Sequence, residues 1–287
     1  MKVTIGADPE FFLYDTAAGK YISAHGLVPG TKDKPHRLKD GACQLDGTAV
    51  EFNINPAASS YEFSYNIGSV LAEIRQMIPA KYAFKFEPSV MFDKDVWEKV
   101  PESSKELGCS PDFNALAPKP EEPRVPKALP KAYETLRTGA GHIHVGWTNG
   151  KEPMDKSHFW DGAELSRQLY YVFKRASPLW DNNELRQKLY GSGAAFRPKP
   201  YGSEFRSPSN AWLNYPILWE WIFDITKATF RSLEDAKPIG DILHNDFGLH
   251  WHDHKPDFNG FNALAAKGDF PKIPMNWKEE VYGGLNG

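Results

Sequence analysis

Apolar and polar residues alternate along several segments of this 287-residue chain, a pattern typical of strands that bury one face. Residues 3–14 and 20–23 flank a run of turn formers and predict a first hairpin. Residues 43–45 and 48–53 flank Asp46-Gly47, a strong two-residue turn signal, and predict a second hairpin. We therefore expect the chain to begin with antiparallel sheet.

Helical periodicity begins after Ser59 and Ser60, either of which can cap a helix. The apolar positions that share one face of this helix, and that we expect in the core, are Phe63, Ile67, Val70, Leu71, Ile74, Met77 and Ile78. Later elements are predicted as strand at 82–92 and as helix at 156–175, at 182–190 before the C-cap Gly191, and from Pro216 toward Leu233. No composition break divides the chain, so we expect a single α+β domain over residues 1–287.

Two segments fall outside this pattern. Residues 117–131 are rich in proline and basic residues, so they should form an extended loop outside any sheet ladder. The loop can be a solvated connector or a basic flap over an anionic ligand. No motif assigns the region after about residue 236, although His250, His252 and His254 alternate there and suit either a metal site or an exposed loop.

Composition narrows the class of protein. Apolar residues make up 41% of the chain and aromatic residues 14%, which is enough for a large core. The net charge of -3 provides no basic field, so we expect no nucleic-acid partner. The sequence shows no signal peptide or membrane-spanning apolar run, and its two cysteines are too few for a disulfide framework. We expect a soluble cytoplasmic protein with no membrane partner.

Polar side chains recur two residues apart in four strand-like segments, so each pair should project from one strand face. The pairs are Asp8 and Glu10, Glu51 and Asn53, His142 and His144, and Glu204 and Arg206. Neighbouring carboxylates repel unless a cation lies near them, and a hard metal ion resolves that conflict. Four such strands side by side would form a cup able to hold divalent metal and a nucleoside triphosphate.

Each pair also has an ordinary structural explanation, namely a solvent-facing strand end, an edge strand, a satisfied histidine pair or a strand salt bridge. Two flanking features favour function. Gly139 and Gly141 would let the backbone before His142 approach a ligand closely. Arg197 and Lys199 would approach from the loop before Glu204 and add phosphate-binding cations.

Read together and in this order, the segments resemble the glutamine synthetase and glutamate-cysteine ligase superfamily of ATP-dependent carboxylate-amine ligases, most closely its phage-type members. The resemblance spans about residues 5–212, and Asp8 stands where the family more often has Glu. The family also often has an acid shortly before Glu51, where Gln44 and Asp46 both stand here. The resemblance implies a curved antiparallel sheet that forms a funnel flanked by helices, with ATP and two or three Mg²⁺ or Mn²⁺ ions bound inside.

The resemblance also implies residue roles. The expected metal ligands are Asp8, Glu10, Glu51, His142 and Glu204, of which Asp8, His142 and Glu204 would hold the ion that bridges the ATP phosphates. The expected nucleotide contacts are His144, Lys199, Arg197 and Arg206, and the expected catalytic residues are Arg197, Arg206 and Glu51. The implied reaction joins a small-molecule or peptide carboxylate to an amine through an acyl phosphate, in the host cytoplasm if the protein is phage-encoded.

Three other functions remain open on the sequence. The His142-Ile143-His144 strand also suits a metal-dependent hydrolase, and the same fold can carry a guanidino kinase. The cup can also serve a non-catalytic ligand-binding module. Neither the substrates nor the oligomeric state can be read from the sequence.

Overall fold

The computed structural model of the protein describes residues 2–105, 112–123, 131–190, 193–247 and 257–282. Its strands are β1 (Thr4–Asp15), β2 (Lys20–Ile22), β3 (His36–Leu38), β4 (Gly41–Asp46), β5 (Ala49–Ile54), β6 (Tyr82–Lys85), β7 (Ser89–Met91), β8 (Phe113–Asn114), β9 (Leu136–Thr138), β10 (Gly141–Gly146), β11 (Ala195–Lys199) and β12 (Gly202–Phe205). Its α-helices are α1 (Ser60–Met77), α2 (Lys94–Trp97), α3 (Glu102–Lys105), α4 (Lys156–Ala176), α5 (Glu184–Leu189), α6 (Pro216–Glu234), α7 (Ile239–Phe247) and α8 (Phe258–Gly268).

Both predicted hairpins are present. β1 pairs with β2, and β4 pairs with β5, in antiparallel register. The second turn differs by one residue from the prediction, because Asp46 is still paired with Ala49 and the loop is therefore Gly47-Thr48. Gly47 has a φ of 57°, a left-handed conformation that glycine adopts without steric cost.

Ten of the described strands form one antiparallel sheet, flanked by helices, in a mixed α+β fold. The main path runs β3-β4-β5-β1-β10-β12-β11-β8, and β2 and β6 pair with β1 off this path. The sheet is not closed, since the path ends at β3 and β8. The four strands predicted to carry polar pairs, β5, β1, β10 and β12, are therefore consecutive neighbours.

The alternation along these strands assigns their faces. In β1, Ile5, Ala7, Phe11 and Leu13 enter the main core, whereas Asp8 and Glu10 project from the opposite face. The same main core receives Val50 and Phe52 from β5, Ile143 and Val145 from β10, and Phe205 from β12. A smaller apolar cluster, formed by Phe12, Ala49, Val90, Phe92, Trp97 and Val100, lies on the polar face. The polar face is thus covered in part by the segment that contains β7 and α2.

The long helices were predicted correctly and supply the other side of the main core. The Ser59 side chain caps α1 by accepting from the Glu62 N–H, and Phe63, Ile67 and Ile74 on this helix are fully buried. α4 and α6 likewise cover the predicted spans, whereas the predicted helix at 182–190 is shorter, at Glu184–Leu189. Helices α7 and α8 occupy the region after residue 236, which the sequence left unassigned.

Three other expectations are resolved only in part. Residues 117–123 contain turns and no strand, as the loop prediction requires, but residues 124–130 lie outside the described residues. The His250–His254 cluster and Gly191 also lie outside them. Within the described residues, no helix is both long and apolar enough to cross a membrane.

Candidate functional site

The register of the four central strands brings the predicted polar residues into one site. Asp8 is paired with His142, and His144 is paired with Glu204. On the other side of β1, Glu10 is paired with Glu51. Because all of these side chains project from the same sheet face, the strands hold them together without any contribution from flexible loops.

A first cluster, which we call the histidine group, consists of Asp8, His142, His144 and Glu204. Asp8 Oδ1 lies 3.3 Å from His142 Nδ1 and 2.9 Å from His144 Nε2, and His142 Nδ1 lies 3.5 Å from Glu204 Oε1. Asp8 Oδ1 and His144 Nε2 are both buried, and these ion-pair contacts are the only polar contacts that either atom makes among the described residues. Two buried polar atoms that face each other in this way are suited to a shared ligand.

The pKa values in the histidine group reflect its mixed charges. Burial raises the pKa of Asp8, but the imidazoles of His144 and His142 outweigh burial and hold it well below its usual value. Burial and then the charge of Arg206 lower the pKa of His142. Burial also lowers the pKa of His144, but Asp8 and Glu204 outweigh burial, and the net shift is upward.

Glu204 is fully buried and forms ion pairs with three cations of the site. Its Oε2 lies 2.7 Å from Lys199 Nζ and 3.5 Å from Arg197 Nη1, and its Oε1 contacts Arg206 Nη1. Burial and Asp8 raise the pKa of Glu204, but Arg206, His144 and His142 lower it to about 2. Glu204 is therefore ionised at neutral pH.

The structure corrects one detail of the predicted cations. Arg197 and Lys199 do not approach from a loop, because both belong to β11. Arg197 is paired with Glu204 across the β11–β12 hairpin, and Lys199 is paired with Gly202. Pro198 did not prevent strand formation, since β11 still pairs with β12 on one side over this stretch.

A second cluster, which we call the carboxylate group, consists of Glu10, Asp46 and Glu51. One carboxylate oxygen from each lies within 4.8 Å of the other two. Ala140 N–H donates to Glu10 Oε2 at 3.0 Å, and Gln44 Nε2 donates to Glu51 Oε2 at 2.8 Å. The sequence left open whether Gln44 or Asp46 corresponds to the family's acid before Glu51. In the structure, Asp46 belongs to the cluster, and Gln44 donates a hydrogen bond to Glu51.

Burial and mutual repulsion both raise pKa values in the carboxylate group. Burial, followed by the charges of Asp46 and Asp8, raises the pKa of Glu10 to about 8. Burial and the charges of Asp8, Glu10 and Asp46 also raise the pKa of Glu51 well above its usual value. A cation bound among these oxygens would relieve the repulsion.

A cavity of about 130 Å³ connects the two groups. Of the predicted site residues, the cavity is lined by Asp8, Glu10, Glu51, His142, Arg197 and Arg206. His144, Lys199 and Glu204 adjoin it through the contacts described above. All nine predicted site residues are therefore brought together, although their individual roles remain predictions.

The cavity also includes residues that sequence reasoning did not identify. Asp112 Oδ2 lies 3.5 Å from Arg206 Nε, so Arg206 is held between Asp112 and Glu204. Arg137 and Arg186 line the wall and donate to backbone carbonyls, including Leu136 O at 2.6 Å and Ser207 O at 2.6 Å. These residues come from short strands, helices and loops, and no local spacing pattern could have indicated their approach.

The glycines before His142 pack closely against the protein itself. A Cβ atom on Gly141 would lie 2.1 Å from Ser209 O, and one on Gly139 would lie 2.2 Å from Asn210 Nδ2. The close approach made by these glycines is therefore to residues 209–212 of the protein itself. This packing accounts for the small residues without a ligand.

Both groups have the chemistry of a divalent-metal site. The atoms of Asp8, His144 and Glu204 that can bind a metal lie within 4.8 Å of one another, as do those of the carboxylate group. Carboxylate oxygens suit Mg²⁺ and Mn²⁺, and an added imidazole suits Mn²⁺ or Zn²⁺. Asp8 Oδ1 and His144 Nε2, which are buried and face each other at 2.9 Å, fit such a ligand.

Comparison with known proteins does not assign a family. No protein-family model matches the sequence, and no curated protein matches it significantly. The functional proposal therefore depends on the geometry of the site.

Proposed function

We propose that the protein is an ATP-dependent carboxylate-amine ligase with a glutamine synthetase-like catalytic sheet. The observation that supports this most directly is the pair of groups on one sheet face that could each hold a metal ion, joined by a cavity with cations at one end. Such an arrangement suits ATP-dependent amide formation, because the phosphates and the acceptor carboxylate bring several negative charges close together.

The histidine group is the proposed phosphate end of the site. Asp8, His144 and Glu204 would hold a metal ion that neutralises charge on the ATP phosphates. This proposal exchanges the two histidines, because the resemblance implies His142 as the metal ligand and His144 as a nucleotide contact. Arg197, Lys199 and Arg206 gather three positive charges around Glu204, and Arg206 also contacts Asp112. Cations gathered in this way suit a phosphoryl group.

The carboxylate group is the proposed acceptor end. Glu10, Asp46 and Glu51 would hold a second ion, Mg²⁺ or Mn²⁺, beside the substrate carboxylate. A bound metal ion neutralises charge on the reacting oxygens. The residues themselves orient the site, since Ala140 N–H fixes Glu10 and Gln44 fixes Glu51. Arg197 and Arg206 would stabilise the negative charge on the transferred phosphoryl group.

An amine-dependent phosphate-release assay tests the proposal. Purified protein with ATP, Mg²⁺ and a panel of carboxylic acids, amino acids, peptides and polyamines should release ADP and phosphate, and mass spectrometry should detect an amide product. Glu204→Ala should abolish turnover, whereas Glu220→Gln, on the exposed face of α6, should not change it. The ligase proposal would be refuted if the protein neither bound nor consumed ATP with any member of the panel and Glu204→Ala changed no measured activity.

A metal-dependent hydrolase is the second candidate. It is favoured by one observation, that two imidazoles lie within 3.3 Å of Asp8, since nitrogen-rich sites suit Zn²⁺. Tightly held Zn²⁺ and hydrolysis without ATP would support this candidate. A guanidino kinase would instead form a stable phosphorylated product, and a binding module would form no product.

A further inference from the structure

Tyr201 lies beside the histidine group in the turn of the β11–β12 hairpin. Lys199 is paired with Gly202, so Pro200 and Tyr201 form the two-residue loop. The loop packs against the end of β10, because a Cβ atom on Gly202 would lie 2.0 Å from Val145 O. Only glycine allows this close approach, which sets the position of the neighbouring tyrosine.

Backbone hydrogen bonds fix the same turn. The Tyr201 carbonyl accepts from Trp147 N–H at 2.9 Å and from Thr148 N–H at 3.0 Å. The preceding carbonyl, that of Pro200, accepts from Lys151 N–H at 3.0 Å. The backbone that carries the Tyr201 side chain is thus held by residues immediately after β10.

The Tyr201 hydroxyl contacts the ring nitrogen of His144 that points away from the histidine group. Tyr201 Oη and His144 Nδ1 form a hydrogen bond, whereas His144 Nε2 lies 2.9 Å from Asp8 Oδ1 in the histidine group. The two nitrogens of one imidazole therefore have separate partners. Tyr201 holds one nitrogen, and the other faces Asp8 and Glu204.

We propose that Tyr201 is a positioning residue that directs His144 Nε2 into the histidine group and, by accepting a hydrogen bond from His144 Nδ1–H, makes His144 a metal ligand. This inference rests on the proposed metal site. A ligating nitrogen must present its lone pair, so the imidazole proton must be on the other nitrogen and needs an acceptor there. A phenol hydroxyl can either donate or accept, and can serve both the metal-free and the metal-bound tautomer.

Titration of Mn²⁺ by calorimetry into wild-type protein, Tyr201→Phe and the control Tyr282→Phe tests the proposal. Tyr282 is a partly buried tyrosine that packs on Phe86 and Trp219. We expect Tyr201→Phe to bind Mn²⁺ about 10–100-fold more weakly, because removing the hydrogen-bond partner of a metal-binding histidine typically lowers metal affinity by this factor. Its melting temperature in chelator should match that of the wild type, and Tyr282→Phe should bind Mn²⁺ normally.

The tautomer of His144 provides a second, independent measurement. Nitrogen-15 NMR of Zn²⁺-loaded wild-type protein should show the proton of His144 on Nδ1, and this measurement does not require the variant to fold. Unchanged Mn²⁺ affinity in Tyr201→Phe, or a proton on Nε2 in the loaded protein, would overturn the role of Tyr201 and leave the ligase proposal standing. Wild-type protein that binds no Mn²⁺ would overturn both.

Discussion

Two glutamates of the site, Glu10 and Glu204, show that their partners, rather than burial alone, set their charge. Both are largely removed from water, yet the pKa of Glu10 is raised to about 8 and that of Glu204 is lowered to about 2. Burial raises both values. Glu10 then meets other carboxylates, whereas Glu204 meets Arg206 and two imidazoles.

Glu10→Gln should stabilise the metal-free protein and abolish metal binding at the carboxylate group. Its pKa of about 8 keeps Glu10 largely protonated in the folded protein at pH 7, whereas the unfolded chain ionises it, so folding must take up a proton. The amide removes this cost and can still accept from Ala140 N–H, so we expect a gain of about 1 kcal/mol or more at pH 7. Urea unfolding in chelator measures the gain, and repeating it with Mn²⁺ measures the lost metal effect. Glu220→Gln is the control for the substitution itself. A less stable Glu10→Gln protein would contradict the account of repulsion.

Glu204→Gln should have the opposite effect on the metal-free protein. Without this carboxylate, the charges of Arg206, Lys199 and Arg197 lose their shared partner, a loss that typically costs about 3–5 kcal/mol when an ion pair is buried. The same urea titration should show a lower midpoint. If stability were unchanged, solvent rather than Glu204 would be compensating these cations.

At the scale of elements, strand alternation made half of the site predictable. Period-two spacing identified Asp8, Glu10, His142 and His144 as residues of one face, and their register placed them together. This spacing could not identify Asp112, which precedes β8, Arg137, which lies in β9, or Tyr201, which lies in the β11–β12 turn. Tertiary packing determines where these residues lie. The glycines before His142 show a limit of such reasoning, because close packing against protein and close approach to a ligand produce the same sequence pattern.

Gly141→Ala should destabilise the fold even without a ligand. The new methyl group would lie 2.1 Å from Ser209 O and 2.5 Å from Trp212 Nε1, and overpacking of this kind costs about 1–3 kcal/mol or more. Gly68→Ala in α1 is the matched control, because its Cβ would lie 3.9 Å from Trp219 and helix propensity favours alanine. Thermal unfolding of both variants measures the difference. A stable Gly141→Ala protein that binds nucleotide poorly would restore the ligand explanation.

At the scale of the whole molecule, the sheet separates two environments. One face contributes to the main apolar core with α1, α4 and α6, and the other carries the cavity, the two polar groups and the smaller apolar cluster. The sequence predicted the antiparallel start, the long helices and the mixed α+β class. It did not predict α7 and α8, whose region carries no motif, or the ends of the open sheet, which depend on pairing between distant segments.

The alternation along β1 also limits how this chain can change in length. Adding one residue between Glu10 and Phe11 would turn every later side chain of the strand over, so that Phe11 and Leu13 would point to the cavity and Phe12 to the main core. Adding two residues would leave each later side chain on its present face of the sheet. Insertions and deletions should therefore be tolerated at the turn after Asp15, and within β1 only in even numbers.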